Sequence, residues 1–244
     1  TKLIPYLMER QKRYEALIRL GLETRTQDRE GDVTRFNRGS DFPALKDIEK
    51  VLEAFRGETE QVPPMYSALR YKGRRLYEWA RDGIEMPKEP RKIRIHQITC
   101  LSYRYPFLRM DVTCGKGTYI RTLAADIGRS LGTGGHLWAL KRLGVGNCTI
   151  ENAMSWDKVM SMERGEIEPY LIPMGDILSF LPAVKISQKH KEAMSHGRTF
   201  VLTDPQEKLP LEETAILRIQ DRDGEFLGLG GIAACNKKGS GFEI

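Results

Sequence analysis

The 244-residue chain carries 39 Lys and Arg residues against 33 Asp and Glu residues, a formal net charge of +6, and it is 40% hydrophobic. This composition excludes a disordered or fibrous chain and predicts a globular protein with a sizeable core. No run of about 18 apolar residues occurs, so no membrane-spanning helix is expected. The basic balance weakly favours a polyanionic partner. The four cysteines are widely spaced, which argues against a zinc site or disulfide framework and predicts a reducing, cytoplasmic location.

The first third of the chain predicts a helix end, a strand and two helices. Residues 1–7 resemble the tail of a helix, and residues 13–23 alternate apolar and polar side chains as a strand does. Residues 43–56 place apolar side chains at helical spacing, with Pro43 in the first turn and Gly57 just past the end. A double proline then interrupts the chain, and a short helix is predicted from about Arg74 to Arg81.

The rest of the chain predicts more strands and a second domain. Strands are expected at residues 91–103 and 107–114, a helix from about Thr118 to Ser130, and strand character again after residue 136. Beyond a boundary near residue 180 come a short strand, a helix and a hairpin whose turn signal is Asp223-Gly224. We therefore expect domains 1–180 and 181–244, the second a small β-rich unit.

The stretch TCGKGTYIRTLAADIG, residues 113–128, raises the question of what Arg121 contacts. A phosphate-binding P-loop is excluded because Asp111, not glycine, lies five residues before Lys116, and glycine, not Ser or Thr, follows that lysine. An arginine within an otherwise apolar helix needs a carboxylate or phosphate partner. Asp126 is one structural alternative, although a spacing of five residues is poor on a helix.

Two further features have both a structural and a functional interpretation. Tyr14 shares a strand face with Ala16, Ile18 and Leu20, which favours a core aromatic but leaves base stacking open. Residues 65–81, MYSALRYKGRRLYEWAR, interleave cations with aromatic rings, either as a solvated amphipathic helix or as an RNA-binding surface. The candidate RNA-binding cations are Arg70, Lys72, Arg74, Arg75 and Lys116. The four histidines form no metal-ligand spacing, so no metal is expected.

Four segments, RYEALIRLGLETRTQDREG, QVPPMYSALRYKGRRLYEWAR, GKGTYIRTLAADIG and LKRLGVG, occur here in the order and spacing of one family. In these segments the chain resembles bacterial tRNA pseudouridine synthases of the TruB type, which isomerise the T-loop uridine at tRNA position 55 to pseudouridine. The resemblance extends over nearly the whole chain. Its last part, GRTFV and DGEFLGLGGIA, resembles the small RNA-binding PUA-like domain that ends the family.

The resemblance implies an α+β fold: a mixed, largely antiparallel sheet with flanking helices, followed by the PUA-like domain at 181–244. It implies a monomeric isomerase without metal or cofactor, whose partner is the T-arm of tRNA and whose target base is flipped into a pocket. By the resemblance, Tyr14 stacks on the uracil and assists proton transfer, Tyr119 and Leu140 line the base pocket, and Arg121 pairs with the catalytic aspartate. Residues from about 62 to 90 resemble the family's RNA-binding thumb.

The chain departs from the family at the nucleophile. The family's catalytic aspartate lies in a GHTGTLDP-like loop, and none of the acids in this sequence lies in such a motif. We therefore expect that the chain starts within a fold, lacks the nucleophile, leaves Arg121 without its partner and does not turn over alone. The alternative function is a catalytically silent protein that binds or folds tRNA.

Overall fold

The computed structural model of the chain describes residues 2–37, 42–202, 216–232, 234–235 and 242–243. The chain forms two compact units, Thr1–Ala153 and Met154–Ile244. The part of the chain that the structure describes contains no helix that could span a bilayer.

The first unit contains ten strands and four helices among its described residues. The strands are β1 Lys12–Leu20, β2 Leu22–Thr24, β3 Val33–Phe36, β4 Gly57–Gln61, β5 Arg70–Tyr71, β6 Arg74–Arg75, β7 Arg91–Arg104, β8 Phe107–Cys114, β9 Gly135–Val145 and β10 Cys148–Thr149. The helices are α1 Ile4–Met8, α2 Leu45–Ala54, α3 Leu76–Arg81 and α4 Ile120–Ser130, and a 3-10 turn follows at Ile150–Asn152.

Six of these strands form one sheet in the order β10-β9-β1-β8-β7-β4, and every neighbouring pair is antiparallel. The long strand β1 lies inside the sheet, between β8 and β9. Its alternate side chains Ala16, Ile18 and Leu20 are buried, as the period of two in the sequence predicts. The pairs β2–β3 and β5–β6 form two small separate hairpins.

The core of this unit joins one face of the sheet to α2 and α4. Ile48 and Leu52 of α2 and Leu123 and Ile127 of α4 are at most 2% exposed. Each such side chain contributes roughly 1.5–3 kcal/mol by leaving water. The strands supply Ala16, Ile18, Leu20, Ile93, Ile95, Ile98, Leu108, Met110, Val112, Cys114 and Leu137.

Helix α4 approaches β9 so closely that a glycine is required at the contact. A Cβ built on Gly128 would lie 2.3 Å from the backbone nitrogen of Gly135 and 2.4 Å from the carbonyl carbon of Gly134. Both neighbours are backbone atoms, which cannot move aside as a flexible side chain can. The backbone amides of Thr133 and Gly134 also donate to the Gly128 carbonyl, at 3.1 and 2.9 Å. The end of α4 is thereby fixed against the start of β9.

The second unit has its own small core and, among its described residues, two three-stranded sheets. Its described elements are α5 Trp156–Ser161, α6 Arg164–Ile167, a 3-10 turn at Glu168–Tyr170, α7 Met174–Ile177, β11 Ala183–Lys185, α8 Gln188–Ser195, β12 Val201–Leu202, β13 Ile216–Gln220, β14 Phe226–Gly231, β15 Ala234–Cys235 and β16 Phe242–Glu243. The sheets run β11-β13-β14, with β11 parallel to β13, and β12-β16-β15. Val184, Ile186, Leu217, Ile219 and Ile232 form its buried core.

The hairpin between β13 and β14 turns where the sequence predicts it. The Asp221 carboxylate accepts the backbone N–H groups of Asp223 and Glu225 at 3.1 and 2.9 Å, and Gly224 adopts φ 92°. These bonds lower the pKa of Asp221 below its ordinary value, the Glu225 amide being the largest cause and the Lys191 ammonium a smaller one. The turn is therefore held by an ionised carboxylate.

The structure confirms the predicted α+β class with a largely antiparallel sheet and flanking helices. Three helices begin later than predicted. The helix predicted over residues 43–56 spans Leu45–Ala54, with Ala44 as its N-cap, so Pro43 precedes its first turn. Residues Arg74–Arg75 pair with Arg70–Tyr71 as a hairpin, so the helix starts at Leu76. Tyr119 has extended backbone angles, φ −94° and ψ 108°, so α4 starts at Ile120 rather than Thr118. The domain boundary near residue 180 and the PUA-like character of 181–244 stay predictions.

Candidate active site

The glycine-flanked turn before α4 delivers Tyr119 and Arg121 to the start of that helix. Gly117 adopts φ 77°, a conformation that glycine takes without steric cost. The next residues extend into the helix, whose first turn carries Arg121. Gln61, at the end of β4, donates to the Tyr119 carbonyl at 3.1 Å and accepts from the Tyr119 amide at 2.8 Å. The turn therefore supports a helix start and not a phosphate-binding loop.

Arg121 has a carboxylate partner within this chain. Its Nη1 donates to Oδ2 of Asp28 at 3.0 Å, and the two side chains are 26% and 24% exposed. Its Nη2 donates to the backbone carbonyl of Tyr66. The expectation that Arg121 lacks a partner here is therefore wrong. The alternative pairing with Asp126 is also wrong, because Asp126 contacts Arg129 at 2.8 Å.

The loop that carries Asp28 connects β2 to β3 and is held from several sides. Oδ1 of Asp28 accepts from the Thr26 hydroxyl at 2.5 Å and from the Glu30 amide at 3.2 Å. The carbonyl of Asp28 accepts from the Thr24 hydroxyl at 2.6 Å. These bonds orient the carboxylate toward Arg121.

Gln27 attaches the same loop to both α4 and β9. Its side-chain oxygen accepts from the Thr122 hydroxyl at 2.7 Å, and its carbonyl accepts from the Leu137 amide at 3.0 Å. The amide of Arg29 in turn donates to the Leu137 carbonyl at 3.0 Å. Gln27 adopts φ 64°, which is uncommon for a residue other than glycine and is tolerated where surrounding contacts determine it.

Tyr14 and Leu140 lie on the sheet face against which α4 packs. Tyr14 is half-buried against the core, and Leu140 pairs with Ala16 across β1 and β9, with 46% of its surface exposed. Arg142, opposite Tyr14 in the register, places its guanidinium 5.6 Å from the centre of the Tyr14 ring. A half-buried ring, an exposed leucine and a cation therefore lie on the same side of the sheet as the start of α4.

The opposite face of the sheet carries a separate set of ion pairs. Asp111 is 7% exposed and accepts from Arg13 at 3.0 and 3.1 Å, and Arg109 pairs with Glu15 at 2.8 Å. The hydrogen bond from Arg109 lowers the pKa of Glu15 below its ordinary value. Because β1 side chains alternate, Arg13 and Glu15 point away from the face that carries Tyr14. The Asp111 carboxylate therefore lies on the sheet face opposite to the one against which α4, with Arg121, packs.

Two titratable groups in or near α4 are poorly suited to act as nucleophiles. Burial raises the pKa of the Cys114 thiol, which is 1% exposed, and so favours its unreactive protonated form. Burial also raises the pKa of Asp126, and the Arg129 guanidinium partly opposes this effect. Among the described residues, no group of three or more His, Cys, Asp and Glu side chains could hold a metal ion.

The basic segment forms a tight hairpin followed by α3. Arg70 pairs with Arg75 across β5 and β6, and Lys72 occupies the turn with φ 48°. Lys72 lies 5.6 Å from the centre of the Tyr71 ring, and Arg75 lies 5.9 Å from that of Tyr77. Arg70, Lys72 and Arg75 are exposed at this hairpin. The structure thus presents cations beside aromatic rings, as the sequence predicts.

Two of the predicted RNA-binding cations are already paired with carboxylates. Arg74 contacts Asp82 at 2.7 Å and Glu78 at 3.7 Å, and its guanidinium lies 4.8 Å from the centre of the Trp79 ring. Lys116 contacts Glu9 at 2.5 Å on the surface. Arg74 therefore connects the hairpin to α3, and its availability to a phosphate is lower than that of Arg70.

Sequence reasoning missed Asp28 and Gln61. Asp28 lies 93 positions from Arg121 and Gln61 lies 58 positions from Tyr119, so no local spacing connects either pair. The TRTQDREG segment did carry a signal, because Thr and Asp two residues apart favour a turn in which the carboxylate is locally hydrogen-bonded.

Comparisons with known proteins decide the family. The model of the N-terminal domain of TruB family pseudouridylate synthases matches residues 1–120, and that of the tRNA pseudouridylate synthase B C-terminal domain matches residues 121–179. A tRNA pseudouridine synthase B from Clostridium kluyveri is 38% identical over 94% of this chain and 77% of its own length. The chain belongs to the TruB family of pseudouridine synthases. It is thus a member of a family of isomerases.

A second TruB relative agrees with this assignment, and solved structures match the fold. The synthase of Burkholderia mallei is 39% identical over 94% of the chain and 75% of its own length. A Cbf5-Nop10-Gar1 complex matches at a TM-score of 0.71 and 23% identity, over 96% of this chain. An H/ACA RNP bound to a substrate RNA containing 2'-deoxyuridine matches at 0.69 and 20% identity, over 98%. The chain spans 63% and 64% of those two chains, and at such identity they show a shared fold.

Proposed function

We propose that this chain binds the T-arm of tRNA and captures the uridine at position 55 for isomerisation to pseudouridine. The observation that carries the proposal is the arrangement around α4 in a TruB family member. Arg121 and Tyr119 at the helix start share one side of the sheet with Tyr14 and Leu140. In this arrangement Tyr14 stacks on the flipped uracil and assists proton transfer, while Tyr119 and Leu140 line its pocket.

Arg121 and Asp28 supply a fixed charge arrangement at this pocket. An arginine held at a defined position favours the ionised form of a neighbouring carboxylate and orients it. Pseudouridine formation requires such a carboxylate as a nucleophile that forms a covalent intermediate with the base or the sugar. In the proposal, Asp28 positions Arg121, and Arg121 positions the nucleophile.

The nucleophile itself is, in this proposal, not among the 244 residues. None of the acids of the sequence lies in a motif matching the family's GHTGTLDP-like loop. Asp28 already accepts hydrogen bonds at both carboxylate oxygens, which suits a positioning role better than attack on a base. The chain alone is therefore expected to capture the base without turnover, and it needs no metal or organic cofactor.

The hairpin β5–β6 and α3 form the RNA-binding thumb of the proposal, covering residues 62–90. Exposed Arg70, Lys72 and Arg75 hold phosphates, and neighbouring tyrosine rings stack on unpaired bases. Residues 181–244 act as a PUA-like domain that adds RNA contacts. The protein is proposed to work as a monomer in the cytoplasm, where its tRNA partner is found.

Competition binding tests this function directly. The chain is expected to bind an isolated T-arm stem–loop within about tenfold of its affinity for whole tRNA, a difference of about 1.4 kcal/mol. An anticodon stem–loop of equal length serves as the matched control, because it offers the same phosphate charge with a different loop shape. Equal affinity for the two stem–loops would contradict the proposal and leave only non-specific RNA binding.

A further inference from the structure

A buried glutamine lies where the thumb leaves the sheet. Gln61 is the last residue of β4, is 4% exposed and pairs with Arg91 at the start of β7. Residue 62 begins the thumb, so Gln61 is the final sheet residue before it. The side chain contributes nothing to the Arg121–Asp28 pair and is not part of the proposed base pocket. Its burial and its two hydrogen bonds nevertheless indicate a defined task.

Gln61 binds both backbone polar groups of a single residue. Its Oε1 accepts the Tyr119 N–H at 2.8 Å, and its Nε2 donates to the Tyr119 carbonyl at 3.1 Å. The same carbonyl accepts the first helical bond, from the Leu123 amide at 3.0 Å. Tyr119 thus has both adjoining peptide planes fixed. These planes set the direction of the Tyr119 Cα–Cβ bond. Gln61 therefore determines the direction in which the Tyr119 side chain leaves the backbone.

A second contact joins the same two segments. Five residues after Gln61, the backbone carbonyl of Tyr66 accepts a hydrogen bond from Arg121. The root of the thumb is therefore attached to the start of α4 twice, at Tyr119 through Gln61 and at Arg121 through Tyr66. Displacement of the thumb root would act on both residues.

We propose that Gln61 is a positioning residue for base capture: it holds Tyr119 in the orientation that the base pocket requires and couples that orientation to the thumb. The inference rests on the proposed function, because Tyr119 is a pocket residue only there. Gln61 does not touch the base. It acts through the Tyr119 backbone, so its loss should weaken recognition of the target base more than contact with the RNA backbone.

Gln61→Glu separates this role from simple packing. Glutamate has the same shape, but its ionised form has no hydrogen to donate and faces the Tyr119 carbonyl, whereas its protonated form both accepts and donates. Burial raises the pKa of a carboxyl group at such a position. The contact should therefore be restored in the variant as the pH falls. Gln61→Met, of similar size and without strong hydrogen-bonding groups, cannot be restored at any pH.

The first measurement is amide hydrogen exchange at Tyr119. Relative to wild type at the same pH, exchange in Gln61→Met should accelerate at least about tenfold, because a hydrogen-bonded amide becomes free. In Gln61→Glu a carboxyl oxygen can still accept the Tyr119 N–H in either protonation state, so protection should stay closer to wild type than in Gln61→Met at every pH. The matched control is Gln97→Glu, the same substitution at an exposed position of β7. Wild-type protection of Tyr119 in Gln61→Met would overturn the proposal, whatever the RNA result.

The second measurement is a ratio of two dissociation constants. The ratio divides the dissociation constant of an RNA that is abasic at the target position by that of the otherwise identical T-arm stem–loop. It therefore reports capture of the base alone. The ratio should fall at least about fivefold in Gln61→Met, the scale of one lost hydrogen bond. In Gln61→Glu it should fall at pH 8 and recover toward pH 5.5. Gln97→Glu should follow wild type at both pH values.

The outcomes distinguish the two proposals. A wild-type ratio near one would refute base capture itself, before Gln61 is changed, while the exchange experiment still tests the contact with Tyr119. A wild-type ratio well above one that is unchanged in both Gln61 variants would overturn the role of Gln61 and leave the proposed function intact. Equal falls in affinity for both RNAs would likewise assign Gln61 to general stability, and thermal unfolding of each variant checks that assignment.

Discussion

Arg121 and Asp28 form an ion pair in which each side chain keeps about a quarter of its surface in water, 26% and 24%. Such a pair is only partly screened, and each partner is also hydrogen-bonded to another group. Removing one partner leaves the other charge partly buried without compensation, which costs more than the pair itself contributes. The pair is therefore sensitive to substitution even though it is not deeply buried.

Asp28→Asn should destabilise the first unit. We expect the free energy of unfolding to fall by about 1–3 kcal/mol, because Arg121 loses its counter-charge. Urea denaturation measures the change. Glu30→Gln is the matched control in the same loop, since Glu30 pairs with Arg29 on the surface with 77% of its side chain exposed. Its effect should stay within about 0.5 kcal/mol. Equal destabilisation by the two changes would contradict the assigned role of Asp28.

The placement of a single residue could be predicted only where the pattern that indicates it lies within a short stretch of the sequence. The face that Tyr14 occupies followed from alternation along one strand, and the structure confirms it. The partner of Arg121 did not follow, because Asp28 reaches it through a loop whose position is fixed by hydrogen bonds to α4 and β9. Such tertiary contacts have no period in the sequence. For the same reason, nothing in the sequence singled out Gln61.

At the scale of elements, the contact between α4 and β9 depends on Gly128. In an ordinary helix, glycine to alanine stabilises by roughly 1 kcal/mol. Here Gly128→Ala should destabilise the protein instead, because its Cβ would lie 2.3 Å from the Gly135 nitrogen. Thermal unfolding tests the sign. Gly165→Ala in α6 is the control, because a Cβ there meets nothing within 4 Å. A gain in stability for Gly128→Ala would show that α4 does not approach β9 this closely.

The thumb hairpin predicts unequal roles for two neighbouring arginines. Arg70→Ala should lower the slope of the logarithm of tRNA affinity against the logarithm of salt concentration by about 0.7–0.9, the value for one lost phosphate contact. Arg74→Ala should change that slope less and lower the melting temperature more, because Arg74 pairs with Asp82 and Glu78. Binding titrations at several salt concentrations decide this. A larger change of this slope in Arg74→Ala than in Arg70→Ala would show that Arg74, and not Arg70, contacts a phosphate.

The turn between β13 and β14 should loosen in acid. The folded-state pKa of Asp221 lies below its ordinary value, so its stabilising effect is present above the ordinary aspartate pKa, about 3.9, and is lost as the pH falls through the lowered folded value. Amide exchange at Glu225, corrected for the intrinsic rate, should reveal this loss. In Asp221→Asn the acid-dependent loss should be absent. If Asp221→Asn showed the same loss of protection in acid, the loss would have to come from other carboxylates.

The predicted helices and strands are confirmed where the hydrophobic periodicity is strong. Their ends, however, lie at other residues than predicted. Strand β1 and helices α2 and α4 were recognisable because one face of each is apolar. The start of α3 was misplaced because Arg74 and Arg75 favour a helix by composition, yet pair with Arg70 and Tyr71 in a hairpin. Pairing between strands, and not local propensity, decided that end.

For the whole molecule, two units each enclose their own core and meet in sequence at Ala153. The sequence did not reveal this division because several large apolar side chains just beyond it are exposed, among them Trp156 at 74% and Leu171 at 64%. Apolar residues in a sequence do not indicate whether they are covered in the folded chain. The predicted boundary near residue 180 is a different division of the chain and stays a prediction.

Tritium release from tRNA labelled at C5 of uridine tests the central claim, that this chain captures the target base but does not itself carry the nucleophile. The 244-residue chain should release no tritium above a buffer control. The same chain joined to a family segment bearing the GHTGTLDP-like loop should release it, and Arg121→Ala in that fusion should abolish release while tRNA affinity changes by less than about tenfold. Release by the 244-residue chain alone, or none by the fusion, would contradict the account.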